Sequence, residues 1–349
     1  MAKSSPKLKW IPFHDKRLII RGQGWQKELK GSLHRLPDRC EGVVTSGVWG
    51  NSLCSSGIRI CFRSNSRHIA VRVKLANPST MSHMPSTGQS GVILFSGDPY
   101  CTQPWGSAWP SGDRDCYEKI LATNLSAKMR EYTLYLPLYN EVVDLDLGVS
   151  PGARFTSPSK PALAKPVVFY GTSISMGGCA HTPEADYVSI VSRRLNLDTI
   201  NLGFSGAGRG EPEMAEMLVE LDVAAYVLDY VANSTIKSLK KTLPIFVKIL
   251  RRHKPEIPII LLSRTLGYGM HYNANSWEHF ELLRDETIHF YSKVRKKGDM
   301  NIHFIDGNPL IPPCTDLVHS DGGHPTSVGF KMMADLITPQ LENILLMRK

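Results

Sequence analysis

The sequence contains no long uninterrupted apolar run, and its first twenty residues, MAKSSPKLKWIPFHDKRLII, lack the apolar stretch of a signal peptide. A membrane-spanning helix needs about 20 consecutive apolar residues, so we expect no transmembrane segment and no binding to a membrane. The seven cysteines are odd in number and lack the paired spacing of a zinc site, which favours a reducing compartment. These absences together predict a cytoplasmic protein.

Motifs for metals and cofactors are also missing. The histidines show neither HxxxH nor HExxH spacing, and Cys61 is predicted to be a small buried residue within a strand. The segment GFSGAGRG matches neither GxGxxG nor the lysine-bearing phosphate loop, because Glu211 stands where the third glycine is needed. We therefore expect no metal and no cofactor.

The charge of the chain does not indicate nucleic-acid binding. There are 41 basic and 32 acidic residues, for a formal net charge of +9. The basic residues are scattered, with only short clusters such as LRRH and VRKKGD and no interleaved aromatic residues. This pattern is typical of a solvated basic surface, which modestly favours anionic substrates.

Length and pattern predict two domains. In the first 155 residues, short alternating runs such as RICFRS, IAVRVKL and GVILFSGD are separated by polar turns, which is typical of a β-sandwich of the jelly-roll kind. Residues 151–166 are rich in proline and small residues and are predicted to be a linker. Strands and helices then alternate over residues 166–349, which predicts a three-layer α/β domain with a parallel sheet.

The segment VVFYGTSISMGG carries the first candidate catalytic residue. An apolar β-branched run ends at Gly171 and is followed by small polar residues, so the segment predicts a strand, a tight turn and a helix. Ser173 would then lie at the carboxyl end of a parallel strand and at the start of a helix, where ligands bind in open α/β sheets.

The segment HSDGGHPTSVGF near the end of the chain supplies the other two catalytic candidates. Asp321 and His324 are three residues apart, so one turn can hold the carboxylate against one imidazole nitrogen while the other nitrogen points outward. A serine hydroxyl needs such a base to become nucleophilic, and the base needs an acceptor that orients it. We predict a triad of Ser173, His324 and Asp321.

Two further segments can supply hydrogen-bond donors to an oxyanion. INLGFSGAGRGEPEM ends a strand in a glycine-rich turn that contains Gly206, and YVLDYVANS ends a strand near Asn233. The carboxyl ends of parallel strands meet at one sheet edge, so the N–H groups of Ser173 and Gly206 and the Asn233 amide are predicted to converge there as an oxyanion hole.

Two other serines are rival nucleophiles. Ser175 is two residues beyond Ser173 and would point elsewhere if the segment is already helical. Ser205 lies in GFSGA, which lacks the last glycine of the GxSxG turn of α/β-hydrolases. In that fold the acid also lies far upstream of the histidine, whereas here both share one turn.

The four segments resemble the four blocks of the SGNH (GDSL-like) hydrolase superfamily, which carry Ser173, Gly206, Asn233 and His324 in the same order. GVWGNSLCSSG at 47–57 and YLPLYN at 135–140 are similar to the branch with an N-terminal β-sandwich. The resemblance implies a flavodoxin-like catalytic domain and an esterase with the triad and oxyanion hole named above. It departs at Thr172, at Ala207 and after HPT, where relatives often have aspartate, asparagine and aspartate.

The resemblance also implies a class of substrate. Related two-domain enzymes often remove acetyl groups from carbohydrates, so we expect a small-molecule or oligosaccharide ester, with Trp49 and Arg209 as candidate substrate contacts. Two alternatives stay open: an acyltransferase that uses the same site with an alcohol acceptor, and a non-catalytic carbohydrate-binding protein on this scaffold. We also expect the segment 47–57 to pack near Ser173 and close one side of the pocket.

Overall fold

The first half of the chain is built from antiparallel strands. The computed structural model describes residues 6–267, 269–313 and 315–347. The described strands of this half are β1 (Lys9–Pro12), β2 (Ile19–Arg21), β3 (Arg59–Ser64), β4 (Ile69–Leu75), β5 (Val92–Ser96), β6 (Gln103–Ala108), β7 (Cys116–Ala122), β8 (Arg130–Tyr135), β9 (Val142–Val149) and β10 (Phe155–Thr156). Two short helices, α1 (Ser46–Ser52) and α2 (Ser86–Gln89), interrupt them.

These strands form two facing sheets. One sheet has the order β1-β9-β4-β7, and the other has the order β10-β3-β8-β5-β6 with β2 paired to β3. Apolar residues from both sheets fill one shared core, among them Phe62, Val71, Leu134 and Leu147. The predicted β-sandwich is therefore confirmed, and Cys61 is buried within β3 as expected.

The second half is a three-layer α/β arrangement. Its strands are β11 (Val167–Gly171), β12 (Thr199–Gly203), β13 (Ala225–Asp229), β14 (Ile259–Leu262) and β15 (Ile302–Ile305). Its helices are α3 (Ser173–Met176), α4 (Tyr187–Leu195), α5 (Pro212–Leu218), α6 (Ile236–His253), α7 (Ala274–Lys296) and α8 (Ser327–Leu345). The strands are all parallel and have the order β12-β11-β13-β14-β15, which is the flavodoxin-like order.

Alternate residues of β11 face the two layers of helices. Val167 and Phe169 pack in the core that also contains residues of α4 and α8, whereas Val168 and Tyr170 pack in the core with α5, α6 and α7. The chain leaves β11 for β12 on one side and returns to β13 on the other. This reversal creates the crevice at the carboxyl end of β11 where ligands bind in such sheets.

The two halves share a hydrophobic core. The core on the α5–α7 face also contains six residues from the first half, namely Trp25, Leu29, Leu36, Cys40, Val44 and Val48. An ion pair adds to this contact, since Arg59 of β3 donates to the Asp198 carboxylate at 2.8 Å and the arginine is buried. The division into domains 1–155 and 166–349 stays a prediction, but the contact between the halves is apolar and extensive.

The segment 47–57 contains a helix where the sequence suggested only a loop. Helix α1 begins after Thr45, whose hydroxyl accepts a hydrogen bond from the Val48 N–H at 3.3 Å, and Val48 is fully buried. A side-chain cap and one buried apolar anchor suffice to start a short helix that tertiary packing stabilises. None of the helices in the described ranges is long and apolar enough to cross a membrane.

Candidate active site

Ser173 follows the carboxyl end of strand β11, which pairs with β12 and β13, and is the first residue of α3. Thr172 caps this helix, because its hydroxyl accepts a hydrogen bond from the Ile174 N–H at 3.2 Å. The Thr172 hydroxyl therefore has a capping role here, in the place where relatives often have aspartate. Ser173 is 8% exposed, so little of its surface is open to solvent.

His324 and Asp321 lie in the loop that precedes α8. The His324 Nε2 atom is 2.8 Å from Ser173 Oγ, and His324 Nδ1 is 2.7 Å from Asp321 Oδ2. The loop is held by an isolated bridge between His319 and Pro325 and by the Ser320 N–H, which donates to the His324 carbonyl at 2.9 Å. The structure thus brings the three predicted residues into the serine–histidine–carboxylate arrangement of acyl-transfer sites.

The Asp321 carboxylate is stabilised in its charged form. Burial acts to raise the pKa of this group, but hydrogen bonds from the His324 backbone and ring and from the Gly323 N–H outweigh it and lower the pKa to about 2. Its Oδ1 atom accepts the two backbone N–H groups at 2.9 and 3.1 Å, which leaves Oδ2 for the imidazole. Asp321 is therefore ionised at neutral pH, and its Oδ2 atom is placed to accept a hydrogen bond from His324 Nδ1.

The backbone N–H groups of Ser173 and Gly206 are the two predicted main-chain donors to an oxyanion. Within the described residues, the N–H groups of Ser173 and Gly206 have no hydrogen-bond acceptor. Strand register aligns Gly171 with Gly203 on one side and with Asp229 on the other, so the loops after all three strands leave from one sheet edge. Gly206 has a φ of +65°, which an L residue rarely adopts.

Asn233 is held at the same edge in a single turn of 3-10 helix, Val231–Asn233. One hydrogen of its side-chain amide is donated to the Gly208 carbonyl at 3.1 Å, which leaves the second amide hydrogen free in the described structure. The Gly208 backbone itself lies against Gly171, since a Cβ atom there would come within 2.0 Å of the Gly171 carbonyl oxygen. Glycine is thus required at 208, and Asn233 is fixed to the loop that carries Gly206.

Replacement of Asn233 by alanine is expected to lower kcat for an ester substrate by about 10²–10³-fold, or ~2.7–4 kcal/mol, with little change in KM. The amide should bind the developing oxyanion more strongly than the neutral carbonyl of the substrate. Steady-state kinetics with p-nitrophenyl acetate will measure both constants. A change confined to KM would instead make Asn233 a binding residue for the ground state.

Ser175 is not placed as a nucleophile. Its hydroxyl is fully buried and donates to the Asp229 carboxylate at 2.7 Å, and the Tyr187 hydroxyl donates to the same oxygen at 2.7 Å. Burial raises the pKa of Asp229 to about 7, although these two donors oppose the shift. Ser175 and Asp229 therefore form a buried polar cluster beneath α3.

Asp229 predicts a pH dependence of stability. Its pKa in the folded protein is above its value of about 3.9 in an unfolded chain, so its contribution is complete below pH 4 and is lost as the pH rises to about 7. We expect the unfolding free energy of the wild type, relative to Asp229→Asn, to fall by up to about 4 kcal/mol over this range. Thermal unfolding at pH 4.5 and pH 8 measures this difference, and the exposed Asp222→Asn serves as the control. An unchanged difference would show that Asp229 is charged in the folded protein.

The N-terminal half contributes residues that the sequence did not identify. The Tyr139 hydroxyl, in the YLPLYN segment, donates to the Ser173 carbonyl at 3.3 Å. Gly178 is packed between Tyr139 and His324, because a Cβ atom at this position would lie 2.8 Å from Tyr139 Oη and 3.1 Å from His324 Cδ2. Asn51 of α1 bonds to the backbone of Ser205, next to Gly206. Only the similarity of these segments to a family pointed to them, and nothing in their composition did.

Of the two predicted substrate contacts, Trp49 packs on a core that includes residues of the Gly206 loop and Arg209 lies within that loop. Trp49 is partly buried and packs on the core that contains Phe204 and Ala207. Arg209 is exposed, and its backbone N–H donates to both carboxylate oxygens of Glu211 at 3.1 Å. The expectation that the segment 47–57 packs beside the catalytic turn agrees with two contacts: Asn51 with Ser205, and the Ser56 hydroxyl, which donates to the Met176 carbonyl at 2.7 Å.

One group of side chains near the triad has the donor atoms that bind zinc. His83, Cys179 and Asp321 each offer one ligand atom, and these atoms lie within 4.8 Å of one another. They come from three separate segments, so no sequence spacing could reveal them. Asp321 already accepts a hydrogen bond from His324, and an ion bound there would compete with that bond.

Comparisons with known proteins agree with this geometry. Residues 164–342 match the family model of the GDSL-like lipase/acylhydrolases, and residues 8–155 match the model described as the N-terminus of SGNH hydrolase-type esterases. No curated protein matches the sequence significantly.

Solved structures show the same architecture over almost the whole chain. A protein from Bacteroides ovatus assigned to the GDSL-like lipases has a TM-score of 0.89 and 28% identity, over 97% of this chain and 98% of its own. The salicylyl-acyltransferase SsfX3 from a tetracycline biosynthetic pathway has a TM-score of 0.78 and 22% identity over the same shares. An acetyl xylan esterase from Butyrivibrio proteoclasticus has a TM-score of 0.60 and 14% identity, over 96% of this chain and 99% of its own. The chain belongs to the GDSL-like lipase/acylhydrolase family, in the two-domain form in which an N-terminal esterase-associated β-sandwich precedes the hydrolase domain.

Proposed function

We propose that this protein is a serine esterase that hydrolyses small acyl esters through an acyl-enzyme intermediate. The observation that carries the proposal is the unbroken chain of hydrogen bonds from Ser173 Oγ through both nitrogens of His324 to Asp321, at 2.8 and 2.7 Å. The N–H groups of Ser173 and Gly206, which have no acceptor in the described residues, and the second amide hydrogen of Asn233 belong to loops that leave the same sheet edge. This combination is the one that nucleophilic attack on an ester requires.

The proposed reaction begins when Ser173 Oγ attacks the carbonyl carbon and His324 Nε2 takes the hydroxyl proton. The carbonyl π electrons move to the oxygen, which accepts hydrogen bonds from the N–H groups of Ser173 and Gly206 and from the Asn233 amide. The tetrahedral intermediate formed in this way then collapses. The ester bond breaks, and His324 gives its proton to the departing alcohol. Water then attacks the acyl-Ser173 ester by the same steps, which releases the carboxylic acid and restores the serine.

We propose an acetyl ester on a carbohydrate or glycoside as the substrate. Support comes from the similarity in fold to an acetyl xylan esterase and to a carbohydrate esterase from Clostridium thermocellum in complex with cellohexaose. Trp49 and Arg209 are the residues proposed to contact the alcohol portion, because Trp49 lies on the helix that touches the Gly206 loop and Arg209 is exposed in that loop. A cytoplasmic location is part of the proposal and rests on the sequence alone.

A second candidate is acyl transfer to an alcohol. The fold is more similar to the salicylyl-acyltransferase, with a TM-score of 0.78, than to the carbohydrate esterase of Clostridium thermocellum, with a TM-score of 0.59. The two reactions share the acyl-enzyme and differ only in whether water or an alcohol attacks it.

Hydrolysis of p-nitrophenyl acetate, with and without an excess of sugar alcohols, tests both candidates. A steady release of acetate that acceptors do not reduce supports the esterase. Acetylated acceptor formed at the expense of acetate would support the transferase. No turnover, together with no acetyl group found on Ser173 by mass spectrometry, would overturn both and leave a non-catalytic binding protein.

A further inference from the structure

The loop that carries Gly206 is held by a side chain from the other half of the protein. Asn51 of α1 accepts a hydrogen bond from the Ser205 N–H at 3.2 Å, and its amide donates to the Ser205 carbonyl at 3.2 Å. The same amide nitrogen donates to the Gly47 carbonyl at 2.7 Å, which orients the side chain within α1. Asn51 thus forms hydrogen bonds with both the N–H and the carbonyl of Ser205.

The hydrogen bonds from Asn51 restrain the peptide group between Ser205 and Gly206, whose N–H is a proposed oxyanion donor. The Ser205 carbonyl and the Gly206 N–H belong to one planar trans peptide, in which the two groups point in opposite directions. Fixing the carbonyl oxygen therefore fixes the direction of the N–H. A donor on the carbonyl also polarises the peptide, and this strengthens the hydrogen bond that the N–H gives.

Gly206 itself cannot hold this orientation. It is exposed, it has no side chain and its φ of +65° lies in a region that glycine can leave without steric cost. Helix α1 lies directly over the loop, since a Cβ atom at Gly47 would come within 3.0 Å of the Ala207 Cβ. The turn has its own hydrogen bonds, from the Ala207 and Gly208 N–H groups to the Phe204 carbonyl at 3.1 and 3.0 Å, and α1 adds a direct restraint on the Ser205 backbone.

A buried arginine fixes α1 to the parallel sheet. Arg35 is 1% exposed, and its guanidinium donates to the Asn51 carbonyl at 2.5 Å and to the carbonyls of Asn201 and Gly203 at 3.2 and 2.7 Å. It also donates to the Cys54 carbonyl at 2.9 Å and lies 5.0 Å from the Phe204 ring centroid. One cation thus ties the end of α1 to the end of β12, where the Gly206 loop begins.

We propose that Asn51 is a positioning residue for catalysis, and that the N-terminal half, through Asn51 and Arg35, sets the orientation of the Gly206 N–H in the oxyanion hole. The N-terminal half is then part of the catalytic machinery in addition to any role in substrate binding. This inference rests on the proposed function, because the Gly206 N–H matters only if an oxyanion forms.

The test compares Asn51→Ala and Asn51→Asp with the wild type in hydrolysis of p-nitrophenyl acetate. Complete loss of an oxyanion donor costs about 10²–10³-fold in kcat, so loss of its orientation is expected to cost about 10- to 100-fold, with KM within about twofold. Asn51→Asp has almost the same shape and keeps the acceptor for the Ser205 N–H, but it cannot donate to the Ser205 carbonyl. We expect it to be at least as impaired as Asn51→Ala.

Two further measurements separate positioning from a general loosening of the fold. Trp25→Phe removes another hydrogen bond between the halves, the one from Trp25 Nε1 to Glu220 at 2.8 Å, and keeps the aromatic packing. It should leave kcat unchanged. Affinity for a trifluoromethyl ketone, which forms an oxyanion on Ser173, should fall in parallel with kcat in both Asn51 variants.

The inference is overturned if both Asn51 variants keep kcat within twofold of the wild type, if only KM changes, or if Trp25→Phe loses as much activity as Asn51→Ala. Failure of the proposed function has a different signature. In that case either the wild type would show no turnover or Ser173→Ala would turn over ester at the wild-type rate, whereas failure of this inference alone leaves the wild type active and Ser173→Ala inactive.

Discussion

Replacement of Ser173 by alanine is expected to lower kcat for p-nitrophenyl acetate by about 10⁴–10⁶-fold. The hydroxyl oxygen lies 2.8 Å from His324 Nε2, and no acyl-enzyme on Ser173 can form without it. The side chain lies on a turn at the sheet edge, so the thermal unfolding temperature should change by only a few degrees. Activity and unfolding are measured on the same preparation.

Ser175→Ala is the matched control for this prediction. It removes a hydroxyl two residues away whose hydrogen bond goes to Asp229, so it should reduce stability more than kcat. If Ser173→Ala kept wild-type activity, the assignment of the nucleophile would be wrong. If instead Ser175→Ala were the inactive variant, the buried cluster with Asp229 would have to be the reactive centre.

His324→Ala is the second variant expected to lose nearly all activity, by about 10⁴–10⁶-fold in kcat. The imidazole is the proposed base for the Ser173 proton, and no other base lies within hydrogen-bonding distance of Oγ in the described structure. The measurement is kcat over pH 5 to 9, in the presence and absence of imidazole. Partial rescue by added imidazole would support the role as base, and wild-type turnover would contradict it.

Substitution of Asp321 by asparagine and by alanine tests how the carboxylate orients His324. In Asp321→Asn, the carbonyl oxygen would accept the backbone N–H groups of Gly323 and His324, as Oδ1 now does, and the amide would face His324 Nδ1. That arrangement favours the tautomer with its proton on Nε2, which cannot accept the Ser173 proton. We therefore expect Asp321→Asn to be impaired at least as much as Asp321→Ala, in which water can replace the carboxylate.

The sequence could identify the residues whose place follows from local patterns and from the parallel sheet. Ser173 follows an apolar strand and begins a helix, and Asp321 and His324 share one turn, so local rules place each of them. Parallel strands then bring the loops after β11, β12 and β13 to one edge. This reasoning predicts the fold class and places Ser173, Gly206 and Asn233 at the same edge of the parallel sheet.

The contacts between the halves could not be found in this way. Asn51 and Ser205 are separated by 154 residues, and their hydrogen bonds have no periodic or compositional signal. Arg35 would be expected at the surface, because a buried guanidinium is costly unless its hydrogen bonds are satisfied. Four backbone carbonyls satisfy it here, and only the three-dimensional structure brings them together. Helix α1 was missed for the same reason, since seven residues have little intrinsic helical stability.

The position of the active site has a consequence for biosynthesis. Asn51 leaves the ribosome early, Ser173 and Gly206 follow in the middle of the chain, and His324 comes almost last. The apolar core that contains Trp25 and Val48 is completed only by residues of the second half, such as Leu283 and Ile302. The nascent chain must therefore keep these apolar side chains from aggregating until synthesis is nearly finished. Enzymatic turnover would then report that both halves of the polypeptide have reached their native state, since neither half alone carries the complete catalytic arrangement.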